Sequence, residues 1–164
     1  MPRLTRPTRK RTRPRLGAPR KMPAKRKQLE DAEQRALVEW AGMHRLAPAP
    51  NRQPGASILT YLFAIPNGGS RDVREAARMK AHGVKAGVHD LMLALPHDGW
   101  AGLWIEMKKR RDQFKTPGEA KRAVSDAQHE WADLMRLAGY KVVVAYGAAE
   151  AIEAIKAYLG GEAR

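Results

Sequence analysis

Three charged side chains are embedded in two short apolar runs, and their placement limits the folds open to this chain more than any other feature. The first run reads Gly87-Val88-His89-Asp90-Leu91-Met92-Leu93; the second, beyond Pro96-His97-Asp98-Gly99, reads Leu103-Trp104-Ile105-Glu106-Met107-Lys108. Apolar runs of this length on either side of a Pro/Gly turn predict two strands, 90–95 and 102–108, in an antiparallel hairpin. Asp90 opens one strand and Glu106 lies near the end of the next, so their carboxylates fall toward the same end of the sheet. Lys108 shares the face of Glu106, because side chains alternate along a strand. A charge in such surroundings is costly unless it is paired or holds a metal ion.

Two carboxylates and a lysine in this arrangement suit a metal-dependent phosphodiesterase. Hard cations such as Mg²⁺ or Mn²⁺ take oxygen ligands and keep several waters, so Asp90, Glu106 and the carbonyl of Met107 would suffice to hold one. Such an ion polarises a phosphate ester and acidifies water. Lys108 would orient the attacking water or offset charge on the phosphorane. Blander readings stay open on spacing alone. Asp90 would then cap backbone donors at a strand start, and Glu106 and Lys108 would belong to a solvated edge running into Lys109-Arg110-Arg111.

The surrounding pattern predicts an α/β domain. Residues 28–44 carry Leu29, Ala32, Ala36, Leu37 and Trp40 at helical spacing. Residues 58–65 read as a buried strand, 66–69 as a turn and 71–82 as a helix. A polar, basic loop follows the hairpin from Lys109 to about Arg122. Ser125-Asp126-Ala127-Gln128 is a capping-box pattern that opens a helix with Trp131, Leu134, Met135 and Ala138 on one face, ending at Gly139. A β-branched strand, 141–146, and a last helix, 148–159, complete the order. The expectation is a mixed central β-sheet flanked by helices.

Charge divides the chain in two. Of the 31 Lys and Arg residues among 164, twelve lie in residues 1–27, which contain no acid. That leaves 19 basic against 17 acidic residues beyond. Five prolines interrupt the basic stretch and little in it could form a core, so 1–27 is expected to be a flexible, disordered arm and 28–160 the folded domain. A cationic arm suits phosphate backbones. There is no cysteine, which excludes disulfides and thiolate zinc. The five histidines lack metal-ligand spacing, and no Gly-Lys-Ser/Thr follows Asn67-Gly68-Gly69, so neither a zinc site nor a P-loop is expected. Arg71, Arg74 and Arg78 recur on one helix face, either solvated or set against a DNA backbone. Without a membrane-length apolar run or a secretion signal, the chain reads as soluble and cytoplasmic.

Several blocks, in order, resemble the VRR-NUC family of the PD-(D/E)XK superfamily, in particular its small stand-alone phage and bacterial members. They are 64–71 (Ala-Ile-Pro-Asn-Gly-Gly-Ser-Arg), 83–91 (Gly-Val-Lys-Ala-Gly-Val-His-Asp-Leu), 102–108 and Gln128-His129-Glu130-Trp131 with Gly139-Tyr140 behind it. The resemblance spans about residues 28–157. It implies a restriction-endonuclease-like core and Mg²⁺- or Mn²⁺-dependent hydrolysis of DNA by a homodimer acting on branched substrates such as four-way junctions or flaps. It assigns Asp90 and Glu106 as metal ligands, Lys108 as the catalytic lysine and Gln128 as an active-site glutamine. An acid on the first helix completes the site, here Glu33, with Glu30 one turn earlier as the alternative. Gln128 could equally serve only its capping box. The chain departs from the family at His89, where proline is usual before the aspartate. The competing function is a non-catalytic DNA- or RNA-binding module of the same fold.

Overall fold

A computed structural model describes residues 24–66 and 78–161. Most of the basic arm, the 67–69 turn and most of the 71–82 segment, including Arg71 and Arg74, lie outside the described residues. The first element among the described residues is helix α1, Ala24–Met43. A 3₁₀ turn at Ile58–Thr60 leads into β1, Leu62–Ala64. The hairpin strands are β2, Leu91–Leu93, and β3, Leu103–Lys108. A second 3₁₀ turn, Arg111–Gln113, precedes α2, Pro117–Lys121, and α3, Asp126–Leu137. Strand β4, Lys141–Tyr146, and helix α4, Ala148–Tyr158, follow.

The sheet runs β1-β2-β3-β4, antiparallel across the first two junctions and parallel across the third. A parallel neighbour needs a crossover, which the segment containing α2 and α3 provides. Alternation then assigns the two faces. Leu91, Leu93, Leu103, Ile105 and Met107 join Leu37 and Ala41 of α1 and Ala151 and Ile155 of α4 in the main core. Met92 and Trp104, paired across β2 and β3, point to the opposite face. There Trp104 meets Trp131 of α3 edge-on, with ring centroids 5.8 Å apart, and Tyr140 at 6.4 Å. All three residues of β2 are buried, as expected for a strand covered on both sides.

Four sequence expectations need correction. The 58–65 run is not one strand. Ile58 donates its N–H to His44, Leu46 donates to Ala56, and Gln53 donates to the Tyr61 hydroxyl, which folds the chain back under the end of α1. These tertiary bonds override the local β preference, and only Leu62–Ala64 joins the sheet. Helix α1 starts at Ala24, so Lys25, Arg26 and Lys27 belong to the helix and not to the arm. The 109–122 loop holds a short helix. Thr116 caps it by accepting from the Glu119 N–H at 3.2 Å, and Pro117 occupies its first turn. Lastly, Leu134 is 57% exposed and Leu137 86%, while Ala132 is the buried contact of α3.

Stability should follow this distribution. Ile105→Ala, in the fully buried central strand, is expected to cost about 3 kcal/mol, and Leu134→Ala to stay within about 0.5 kcal/mol, read from urea unfolding midpoints. Equal losses would contradict the placement of α3.

Candidate active site

The hairpin register brings the two carboxylates together. Leu91 pairs with Ile105 in antiparallel alignment, so the next position sets Asp90 opposite Glu106. Both lie on the Trp104 face, against which α3 packs. Asp90 Oδ2 accepts the Met107 N–H at 2.8 Å, which ties its carboxylate to β3. Met107, expected as a carbonyl ligand, thus meets the centre through its amide, and its side chain is in the core. Glu106 is 1% exposed and Lys108 3%. Lys108 Nζ and Gln128 Nε2 both donate to Glu106 Oε1.

Gln128 has two duties at once. Its Oε1 accepts the Ser125 N–H at 2.9 Å, closing the capping box of α3, while its amide nitrogen serves Glu106. The two roles that spacing left open are therefore compatible. The helix end is held in place by Gly87, at φ +82°, where a Cβ would lie 2.0 Å from the Ala127 carbonyl oxygen. No side chain fits there, so the backbone leading to Asp90 docks directly on the first turn of α3. Spacing and motif gave Gly87 no role of its own. A glycine three residues before the aspartate of a buried run was the available signal.

His89 is fully buried, with Nδ1 3.3 Å from the Gly87 carbonyl oxygen and 3.4 Å from Glu106 Oε2. Burial lowers its pKa to about 4, so the ring is neutral at physiological pH and its proximity to Glu106 is no ion pair. The ring reaches back to the backbone just before Asp90, a restraint of the kind proline would impose by other means.

The first helix contributes Glu30, not Glu33, to this neighbourhood. Glu33 Oε2 accepts the Ala148 N–H at 2.9 Å, and Oε1 lies 3.8 Å from Arg110 Nε. It caps α4, whose own N-cap, Gly147 at φ +95°, has no side chain to do so. Glu30, one turn earlier, is in the field of Lys108 and Asp90. Burial raises its pKa, and Lys108 and Arg26 pull it back.

The buried acids are electrostatically stressed. Burial, followed by the neighbouring Asp90 charge, pushes Glu106 up to about 8 despite Lys108. Burial also raises Asp90, against the Met107 amide and Lys108. Glu106 Oε2 is buried and receives no hydrogen bond. Among the described residues no three His, Asp or Glu side chains form a ready-made metal cage. Two facing carboxylates nevertheless fit a hard divalent cation that keeps waters for its remaining positions.

This stress has a measurable consequence without metal. Above pH 6.5, where His89 is neutral both folded and unfolded, the folded chain still holds the Glu106 proton that the unfolded chain has released. Stability should therefore fall as pH rises from about 6.5 through 8. Asp90→Asn, which keeps an acceptor for Met107, should flatten that fall and raise the melting temperature in chelator by about 2–4 °C, equivalent to about 1 kcal/mol. It should also lose any stabilisation by Mn²⁺. A variant that melts lower in chelator and still responds to Mn²⁺ would contradict the site.

No family model matches the chain, and no curated protein matches it either. Among solved structures it is similar to one described as a VRR_NUC domain protein. The two are 28% identical, and the match covers 80% of this chain and 88% of that one with a TM-score of 0.58. The likeness extends from sequence to the mixed sheet and its helices. The chain is thus similar in both sequence and α/β fold to a VRR_NUC domain protein, and that likeness supports a nuclease-type domain.

Proposed function

We propose that this protein is a divalent-metal-dependent DNA endonuclease. The observation that carries the reading is the buried pair Asp90 and Glu106 on adjacent strands, with Lys108 and Gln128 both donating to one Glu106 oxygen. Asp90 and Glu106, completed by Glu30, would hold Mg²⁺ or Mn²⁺. The ion would supply Lewis acidity toward a phosphodiester and its water. The remaining chemistry belongs to the chain. Lys108 brings a positive charge into a nearly dry site, where it orients the attacking water and offsets charge developing on phosphorus. Gln128 holds Glu106 in its rotamer, and Gly87 and His89 fix the backbone that presents Asp90.

The substrate reading rests on charge and on the family likeness. Residues 1–23 carry nine Lys/Arg and no acid, and would add sequence-independent affinity for phosphates. Selectivity for four-way junctions or flaps, and action as a homodimer, follow the stand-alone VRR-NUC proteins that the sequence resembles. No described helix is long and apolar enough to cross a membrane.

The test is cleavage of single-stranded, duplex, flap and four-way-junction DNA with Mg²⁺ and with Mn²⁺. Asp90→Ala and Glu106→Ala should abolish cleavage, and Lys108→Met should reduce it by on the order of a hundredfold or more. Full cleavage by either acid variant would sink the assignment. DNA binding without cleavage in any metal would point instead to a binding module. The two helix acids should separate: Glu30→Gln impairs cleavage, while Glu33→Ala costs about 1 kcal/mol of stability through the lost cap and leaves the chemistry in place.

Removal of residues 1–23 should flatten the salt dependence of DNA binding and spare cleavage at low salt. The deletion must stop at 23, because Ala24 already belongs to α1. An unchanged salt slope would remove the arm from the binding surface.

A further inference from the structure

Arg26 makes contacts that its own helix does not account for. Its partner Glu30 lies four residues toward the C-terminus, the less favourable order for a helical ion pair. Its other contacts are tertiary. Arg26 Nε donates to Glu30 Oε1 at 3.2 Å, and Nη2 donates to the Ala123 carbonyl at 3.2 Å. The guanidinium also lies over the Phe114 ring, 5.7 Å from its centroid.

The far anchor is firm. Phe114, Ala120 and Ala123 form a small core of their own, with Tyr146 packed against it. The Tyr146 hydroxyl donates to the Ala120 carbonyl at 3.0 Å. Lys109, the residue after Lys108, donates to the Gln113 carbonyl at 2.6 Å and sits 4.2 Å from the Phe114 centroid. The 109–123 segment is thereby fastened to the end of β3, where the acidic pair stands. The near end of the bridge is sheltered as well, the side chains of Arg26 and Glu30 being 21% and 12% exposed.

We infer that Arg26 is a positioning residue for the metal centre: its fork links Glu30 to the 109–123 segment, itself fastened to the end of β3, and so sets where the helix carboxylate stands. The inference rests on the reading of Glu30 as the third carboxylate. An arginine is required because one planar group must donate in two directions while lying on a ring, which a lysine ammonium cannot reproduce. The 109–123 segment, a surface loop by its sequence, becomes part of the support of the site.

The test is Mn²⁺ binding to the full chain without nucleic acid, followed by the electron paramagnetic resonance signal of the free ion. Arg26→Ala should weaken Mn²⁺ roughly tenfold, the size typical when a group that orients a metal ligand is lost. Glu30→Gln should weaken it at least as much, and the double variant no further than Glu30→Gln alone. Arg26→Lys, which keeps the charge and loses the fork, should stay near Arg26→Ala. Wild-type affinity in Arg26→Ala, additive losses in the double variant, or full rescue by lysine would each overturn the inference. Should Arg26→Ala fail to fold, Phe114→Leu decides: removal of the ring beneath the guanidinium should weaken Mn²⁺ in the same direction, and unchanged affinity overturns the inference. Asp90→Ala separates the two levels. If it abolishes binding while Glu30→Gln binds normally, the role of Arg26 falls and the metal site stands. If Asp90→Ala also binds normally, the functional reading itself fails.

Discussion

Asp90 and Glu106 face each other across adjacent strands, both acidic and both buried, and much of the structure serves to make that pairing tolerable. Like charges directly opposite one another destabilise a sheet, and burial removes the water that would screen them. The local remedies are few. Lys108 and Gln128 converge on one oxygen of Glu106, and the Met107 amide engages Asp90. The inner oxygen of Glu106 lies 3.4 Å from His89 Nδ1 and takes no donor from Lys108 or Gln128. Burial of two facing acids therefore costs stability, which the rest of the fold must offset.

The scaffold offsets that cost on both faces of the sheet. On one, α1 and α4 bury the apolar side of β2 and β3. On the other, Trp104, Trp131 and Tyr140 lock α3 to the strands by edge-to-face contacts. The second face matters more for function, since α3 also delivers Gln128. The aromatic cluster, the capping box and the close approach at Gly87 fix that helix at three points, all within its first two turns or on the strands beneath it. A glutamine on a freely pivoting helix could not hold a carboxylate rotamer; this one is fixed before any ligand arrives.

Much of this is legible in the sequence, for identifiable reasons. The hairpin, β4, α3 and α4 carry strong periodicity or explicit caps, and the structure places them within a residue or two of expectation. The convergence of Asp90, Glu106, Lys108 and Gln128 follows from strand parity and from the family likeness. The differences lie where tertiary bonds overrule local preference. The β-branched and aromatic run at 58–65 bends because Ile58 donates to His44, beyond the end of α1, and the next residues close a 3₁₀ turn before the chain enters β1. The helix at Pro117–Lys121 escapes a reading by charge, although Thr116-Pro117-Gly118-Glu119 has the cap and first-turn proline of a helix start. Its surrounding cations mask the signal. Leu134 falls on the expected buried face yet is exposed, because apolar spacing marks a stripe without saying which part of it finds a partner.

The first helix shows what periodicity cannot decide. Glu30 and Glu33 lie on neighbouring parts of α1, less than one turn apart, and either could have faced the sheet end. What separates them is the position of α4. Its N-cap, Gly147, has no side chain to offer the Ala148 N–H, and Glu33 supplies the acceptor from another element. With Glu33 committed there, Glu30 remains in the field of Lys108 and Asp90, and Asp31 also acts on Asp90. The same logic moves the boundary between arm and domain. Charge alone places it after Lys27, because the run of cations continues that far. Lys25, Arg26 and Lys27 are nevertheless good helix formers, and they extend α1 back to Ala24. Of the twelve cations in residues 1–27, at least Arg26 works within the fold, on a carboxylate beside the acidic pair.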